Sequence, residues 1–261
     1  MERYIVMDVL GKGSFGTVYK AYGEKGLIAL KVVPLEDEKQ TLYANREVVI
    51  LKKISNPCVP SLACYYNSFI DNKNMYIEME YIDGPDLKEF ARKNRLLPHY
   101  FNKILAILKD IVPGLMYLHS HQIIHRDIKP ENIVIERTKL QPTLIDVGIG
   151  CMPAPRKECP TGCCIGQSGS IHFMAPETLI KRQSYYESDI WSLGATIYFA
   201  ATNENIFSAP SVPLYIEKVE TDPVILHKTG HDKLDEVLTR MIVKNYEQRI
   251  PLSDLLEIIS K

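Results

Sequence analysis

Apolar and polar positions alternate with period two through the first third of the chain, then change to helical spacing. Tyr4 to Leu10, Thr17 to Ala21 and Leu27 to Val33 read as strands, with a glycine cluster after the first and a Glu24-Lys25-Gly26 turn before the third. Residues 40–54 take helical spacing, and the pattern predicts a shared face for Leu42, Val49, Ile50 and Ile54. Ala63 to Ile70 and Met75 to Ile82 are again strand-like, split by the turn-rich Asp71-Asn72-Lys73-Asn74. After Asp83-Gly84-Pro85 the texture is mainly helical. Residues 98–119 predict a long helix in which Pro113 costs about 3 kcal/mol or imposes a kink. Residues 187–202 are apolar nearly all round, as in a buried helix. Asp232–Met241 and Leu252–Ile259 predict shorter amphipathic helices. The expected class is α+β: a small β-rich lobe over about residues 1–82, a hinge, and a larger helical lobe over about 83–261.

Composition narrows the function classes. The 261 residues are 46% apolar and 24% charged, with 31 Lys+Arg against 32 Asp+Glu. That is enough to bury a core, and bulk charge gives no reason to expect nucleic acid or an anionic membrane as partner. The N-terminus lacks a secretory pattern, Glu2 stands where myristoylation needs glycine, and the apolar run Ile190–Ala201 is short of the roughly 20 residues that cross a bilayer. The expectation is a cytoplasmic or nuclear, monomeric protein carrying this one domain. Six cysteines in a chain of this length are not expected to form a disulfide framework.

Three stretches carry chemistry. Gly11-Lys12-Gly13-Ser14-Phe15-Gly16 fits G-x-G-x-x-G, a spacing that also opens dinucleotide-binding folds and occurs in tight hairpins. A strand, not a helix, follows it, which favours a hairpin whose bare backbone N–H groups approach phosphate oxygens. Lys31 on the next strand can reach phosphates, with Glu47 on the predicted helix to hold it. His125-Arg126-Asp127-Ile128-Lys129-Pro130-Glu131-Asn132 gathers acid, base and amide within eight residues. Leu144-Ile145-Asp146-Val147-Gly148 adds an acid at a strand end beside a glycine.

In this order, and with Ala175-Pro176-Glu177, Asp189-Ile190-Trp191-Ser192-Leu193-Gly194 and Arg249 downstream, the chain resembles eukaryotic-type serine/threonine protein kinases from Tyr4 to about Ile259. The resemblance implies a bilobal kinase fold, ATP and Mg²⁺ as cofactors, and protein substrates with Ser or Thr acceptors. It makes Asp127 the group that orients the substrate hydroxyl, Asn132 and Asp146 the Mg²⁺ ligands, and Lys31, held by Glu47, the α/β-phosphate contact. Lys129 would neutralise charge on the transferred group. Leu10, Val18, Ala29 and Val134 would enclose adenine, Met79 would be the gatekeeper, and Glu80 and Ile82 would offer backbone hydrogen bonds. Asp86 would meet the ribose, and Asp86 and Glu131 could also receive a basic residue of a peptide.

Structural roles are implied too: Asp189 bracing the catalytic loop, a Glu177–Arg249 ion pair, and a stack of Leu51, Tyr65, His125 and Val147. Lys129 and Ser170, whose hydroxyl could bridge Asp127 and Lys129, favour Ser/Thr over Tyr acceptors. Val147 departs from the usual Phe. In the activation segment, about 146–177, the usual phosphorylated position is Gly166, with Thr161 and Ser168 the nearest substitutes. Control could come instead from that segment's own contacts or from a regulatory partner protein. A pseudokinase scaffold is the alternative reading, and the glycine loop alone would suit a nicotinamide-dependent oxidoreductase. For Cys151, Cys159, Cys163 and Cys164, free thiols are expected, with a redox switch or a zinc site as alternatives.

Overall fold

The computed structural model describes residues 3–13, 16–157 and 159–261. Five antiparallel strands, β1 (Ile5–Gly13), β2 (Gly16–Gly23), β3 (Gly26–Pro34), β4 (Tyr65–Asp71) and β5 (Asn74–Glu80), form one sheet in the order β1-β2-β3-β5-β4. Helix α1 (Glu38–Ile54) lies between β3 and β4 in sequence, and Asp37 caps it by accepting from Gln40 N at 2.7 Å. The remainder is mainly helical: α2 (Leu87–Asn94), α3 (Tyr100–Ser120), α4 (Pro176–Lys181), α5 (Tyr186–Thr202), α6 (Val212–Thr221), α7 (Asp232–Met241) and α8 (Leu252–Ser260). Two short hairpins interrupt it. β6 (Ile133–Ile135) pairs with β7 (Pro142–Leu144), and β8 (Ala154–Arg156) pairs with β9 (Cys159–Ile165), which also pairs with β10 (Gln183–Ser184). The α+β class and its strand-first, helix-later order are as the periodicity predicts.

The predicted face of α1 is wrong in part. Leu42 is 58% and Val49 51% exposed, and the face turned inward carries Ala44, Glu47, Val48, Leu51 and Ile54, with Ile50 also buried. A charged residue sits in the middle of that face because Lys31 of β3 meets it there, so apolarity alone misjudges the helix rotation.

The long helix is unbroken at Pro113. Lys109, whose carbonyl would have paired with an N–H at position 113, is exposed, so water can satisfy the group the proline orphans. Ser61 Oγ donates to the next carbonyl, Asp110 O, at 2.8 Å.

One continuous apolar core runs from Val33, Val48 and Leu51 beneath the sheet, through Leu108, Leu115 and Ile133, to Trp191, Leu238 and Leu255. It includes Leu51 and Val147, with Tyr65 packed against it, and His125 is fully buried. No helix among the described residues is long and apolar enough to cross a membrane.

Candidate functional site

A cleft of about 940 Å³ separates the sheet from the helices. Leu10, Gly11, Lys12, Gly13 and Gly16 of the first hairpin line it from above, with Val18, Ala29 and Met79; Val134 closes it from below. Ser14 and Phe15 lie outside the described residues. Open space surrounds the place where a Cβ would stand on Gly11 and Gly13, so their backbone is free to approach a ligand. Gly16 has φ of 140°, and a Cβ there would collide with Val32 O, so only glycine allows β2 to run against β3 at this point.

At the back of the cleft, Glu80 N donates to Cys64 O at 2.8 Å, and Glu80 and Ile82 line the same wall. Asp86 lines it too, but Asp86 Oδ1 accepts from Glu89 N at 2.7 Å and caps α2. Glu131 is likewise engaged: Lys88 Nζ donates to its Oε1 at 2.7 Å. Each member of the acidic pair expected to receive a basic peptide residue thus has one oxygen engaged by the chain. Sequence reasoning missed Lys88, together with Ala63, Ile145, His172, Phe173 and Phe199 in the cleft wall; Lys88 has no local signal beyond lying two residues after Asp86.

Two clusters of charge meet in the cleft. In the first, Lys31 Nζ lies 2.6 Å from Glu47 Oε1 and 3.1 Å from Asp146 Oδ1. Burial alone would lower the lysine's pKa, but the two carboxylates outweigh it and hold the ammonium above its ordinary range. Burial opposes ionisation of Asp146 as well; Lys31 and the Gly148 N–H outweigh that and keep its pKa low. Glu47 is pushed up by burial, which Lys31 counters and Asp146 reinforces. Two carboxylates on one lysine leave a net negative cluster. Gly148 seals it: a Cβ there would stand 2.9 Å from Asp146 Oδ1, 3.0 Å from Lys31 Nζ and 3.2 Å from Glu47 Oε2. Gly148→Ala is therefore expected to weaken Mg²⁺–nucleotide binding about 10-fold, within the usual 1–3 kcal/mol cost of overpacking, as read by titration calorimetry. Unchanged affinity would mean that the cluster yields without consequence.

The second cluster surrounds Asp127. Its Oδ1 accepts from Ser170 N at 3.0 Å and Ser170 Oγ at 3.1 Å; its Oδ2 accepts from Lys129 Nζ at 2.7 Å and Asn132 Nδ2 at 3.1 Å. The Ser170 hydroxyl thus holds Asp127, and the lysine reaches the same carboxylate by its other oxygen. Asn132 Nδ2 also donates to Asp127 O at 2.8 Å. With both amide hydrogens spent on Asp127, the donors of Asn132 are used up and its Oδ1 is left to accept. That oxygen and Asp146 Oδ2 have no hydrogen-bond partner among the described residues, and both residues line the cleft. Oxygen donors of this kind fit a hard cation such as Mg²⁺, which takes one or two protein ligands and completes its shell with phosphates and water.

The catalytic loop is held from beneath. Asp189, fully buried, accepts from His125 N at 2.8 Å and Arg126 N at 2.9 Å, and it meets His119 Nε2 at 2.9 Å. Arg126 and Asp146 take left-handed backbone conformations, φ 72° and 60°. Such conformations cost about 1–3 kcal/mol each for residues other than glycine and persist where the surroundings over-determine them, as this bracing does. Arg126 donates to Gly166 O, so a backbone carbonyl occupies the guanidinium at the position where phosphorylation was in question. Thr161 is exposed and Ser168 half-buried.

The cysteines overturn the free-thiol expectation. All six are paired, as Cys58–Cys64, Cys151–Cys164 and Cys159–Cys163. Zinc ligation by the activation-segment cysteines falls with it, since those sulfurs are bonded to one another. The Cys151–Cys164 bond depends on β9 folding back beside Cys151, which composition and spacing do not reveal.

A protein kinase domain family matches residues 4–258. The chain belongs to that family. Its curated relatives include serine/threonine-protein kinase 36 of Pongo abelii, 30% identical over 98% of this chain and 19% of that protein. The serine/threonine-protein kinase ULK3 of Rattus norvegicus is 30% identical over 97% of this chain and 54% of its own length. The serine/threonine-protein kinase Nek5 of Homo sapiens is 28% identical over 84% of this chain and 30% of its own length. This kinase domain thus spans between about a fifth and about half of the length of these relatives.

Proposed function

We propose that this kinase domain transfers the γ-phosphate of ATP, with Mg²⁺, to Ser and Thr hydroxyls of protein substrates. The observation that carries the reading is a single cleft with two charge clusters, one around Lys31 and one around Asp127. Bound Mg²⁺–ATP supplies the transferable phosphoryl group and neutralises its charge. Asn132 and Asp146 would hold the metal, and Lys31, steadied by Glu47, would hold the phosphates. The backbone of Gly11, Lys12, Gly13 and Gly16 would cover them, and Leu10, Val18, Ala29 and Val134 would receive the base, with Met79 as the gatekeeper. Backbone groups of Glu80 and Ile82 would give it edge hydrogen bonds, and Asp86 would meet the ribose with the oxygen its cap leaves free.

Asp127 aligns the acceptor hydroxyl and takes its proton. Ser170 fixes one oxygen of the carboxylate. Lys129 fixes the other and sets a positive charge beside the group in flight. Glu47 acts through Lys31 and is a positioning residue. Residues 146–177 are read as the activation segment, ordered by its own contacts with Arg126 and Asp127.

Phosphoamino-acid analysis of a generic protein mixture treated with the domain, ATP and Mg²⁺ tests the reading. Phosphoserine and phosphothreonine are expected. Phosphotyrosine alone would move the acceptor class, and no transfer at all would favour a scaffold with the same fold.

Lys88 bears on which substrates are accepted. It pairs with Glu131 Oε1 at the cleft wall, so a basic peptide residue that approaches this oxygen must compete with it. Lys88→Ala is expected to raise the preference for peptides with Arg or Lys near the acceptor by about 2- to 5-fold, the usual worth of a partly exposed ion pair. Equal peptide-array profiles for both proteins would remove this filter.

A further inference from the structure

We propose that Cys151 and Cys164 form a redox site: their disulfide clamps the activation segment onto the catalytic loop, and a dithiol releases it. The activity readout below rests on the kinase reading; the structural readout does not.

The two disulfides of the segment are unequal. Cys159–Cys163, with a sequence separation of 4, joins two residues of β9 itself. Cys151–Cys164 spans 13 residues and joins two anchored points. At one, Cys151 exchanges both backbone hydrogen bonds with Ile124, each 2.9 Å, immediately before His125-Arg126-Asp127. At the other, Cys164 pairs with Ser184, and two residues later Gly166 donates to Arg182 O and accepts from Arg126. Four residues beyond that, Ser170 grips Asp127 Oδ1. The bond therefore ties the strand leading to Ser170 to the loop that carries Asp127.

Little else holds the hairpin. All of β8 is exposed, and its pairing with β9 is irregular between Ala154 and Arg156. Within β9 the buried residues are Cys159, Cys163 and Cys164. The sulfurs are its core, so thiol chemistry acts where packing is thinnest.

Cys151 is the accessible partner, being partly exposed, whereas Cys164 is 1% exposed. One thiolate of a dithiol attacks Cys151 Sγ, the S–S bond breaks, and Cys164 leaves as a thiolate that takes a proton. The second thiolate of the reagent displaces Cys151, which is protonated in turn, and the reagent closes its own disulfide. Two electrons and two protons pass to the protein. Reoxidation reverses this, with a small-molecule disulfide such as oxidised glutathione as acceptor.

The test uses the whole chain, first oxidised and then treated with dithiothreitol. Peptide mapping of the oxidised protein should recover the Cys151–Cys164 linkage. Reduction should speed tryptic cleavage after Arg156 or Lys157 and lower kcat for peptide phosphorylation, each by about 10-fold, with recovery in oxidised glutathione. Nucleotide affinity should move less than about 2-fold, since the residues between the bonded sulfurs lie outside the nucleotide wall of the cleft. Cys151→Ser with Cys164→Ser should behave as the reduced protein without reagent, whereas Cys159→Ser with Cys163→Ser should keep the response. If the first pair of substitutions prevents folding, the wild-type reagent series decides alone. Equal cleavage and kcat in both states, free thiols at Cys151 and Cys164 after oxidation, or a rise in kcat on reduction each overturns the proposal. Redox-dependent cleavage with no phosphotransfer in either state would keep the clamp and sink the catalytic reading instead.

Discussion

Asp127→Asn is expected to lower kcat for peptide phosphorylation by about 10²–10⁴-fold, the usual contribution of a positioned general base, while nucleotide affinity stays within about 3-fold. The reason lies in what surrounds the carboxylate. Both oxygens accept, one from Ser170 N and Oγ, the other from Lys129 Nζ and Asn132 Nδ2. An asparagine keeps one acceptor and turns an NH₂ toward donors. If its oxygen stays with Ser170, its nitrogen faces Lys129 across what was a 2.7 Å contact. The substitution thus removes the proton acceptor and sets the new amide against two donors, Lys129 Nζ and Asn132 Nδ2. Lys31, Glu47 and Asp146 lie in the other cluster and keep their contacts, and Asn132 keeps its 2.8 Å bond to Asp127 O, which is why the loss should fall on kcat and spare nucleotide binding. Steady-state kinetics with calorimetric titration of nucleotide separates the two quantities. Equal turnover by both proteins would falsify the role given to Asp127.

Much of this site is legible in the linear chain because its chemistry is carried by short stretches. Asp127, Lys129 and Asn132 share one loop, so their neighbourhood follows from covalent geometry, and Ser170, Lys31 and Asp146 join them through the order of motifs. The fold class is legible for a related reason: strand-like runs over residues 4–33 and apolarity nearly all round over 187–202 mark a sheet and a buried helix, although every residue of β1 is exposed.

What was not legible depends on contacts between distant segments. The rotation of α1 is set by Glu47 reaching Lys31, so Leu42 and Val49 face solvent although their spacing is helical. Strand β8 contains Pro155 and no apolar alternation, so nothing local marks it; it pairs because the cysteines draw β9 alongside. The commitments of Asp86 to a helix cap and Glu131 to Lys88 are equally invisible, since a carboxylate in sequence does not reveal its partner.

Distant pairing also sets the largest expected effect on stability. Arg249 and Glu177 were expected to pair, and they do so bidentately, with both N···O distances 2.7 Å and the arginine side chain fully buried. The remaining guanidinium hydrogens are used as well. Nε donates to Val243 O at 2.8 Å, one terminal nitrogen to Glu187 O at 2.8 Å, and the other to Lys244 O at 3.2 Å. Ser188 Oγ adds a 2.6 Å bond to Glu177 Oε1, and the guanidinium lies 5.2 Å from the Trp191 ring centroid. All five donors of the fork are satisfied, an arrangement that lysine with three donors cannot reproduce. Arg249→Ala leaves the buried Glu177 carboxylate with Ser188 Oγ as its remaining partner and takes a donor from each of three carbonyls. Losing one member of such a buried pair costs about 3–5 kcal/mol, so a fall in Tm of roughly 10 °C is expected in thermal unfolding. Arg249→Lys should recover only part of it. Because the uncompensated charge is the main cost, adding Glu177→Gln to Arg249→Ala should restore more stability than either single change predicts by addition. Strict additivity of the two single effects would mean that the pair is not coupled, and that Arg249 stabilises the domain through Trp191 and the carbonyls alone.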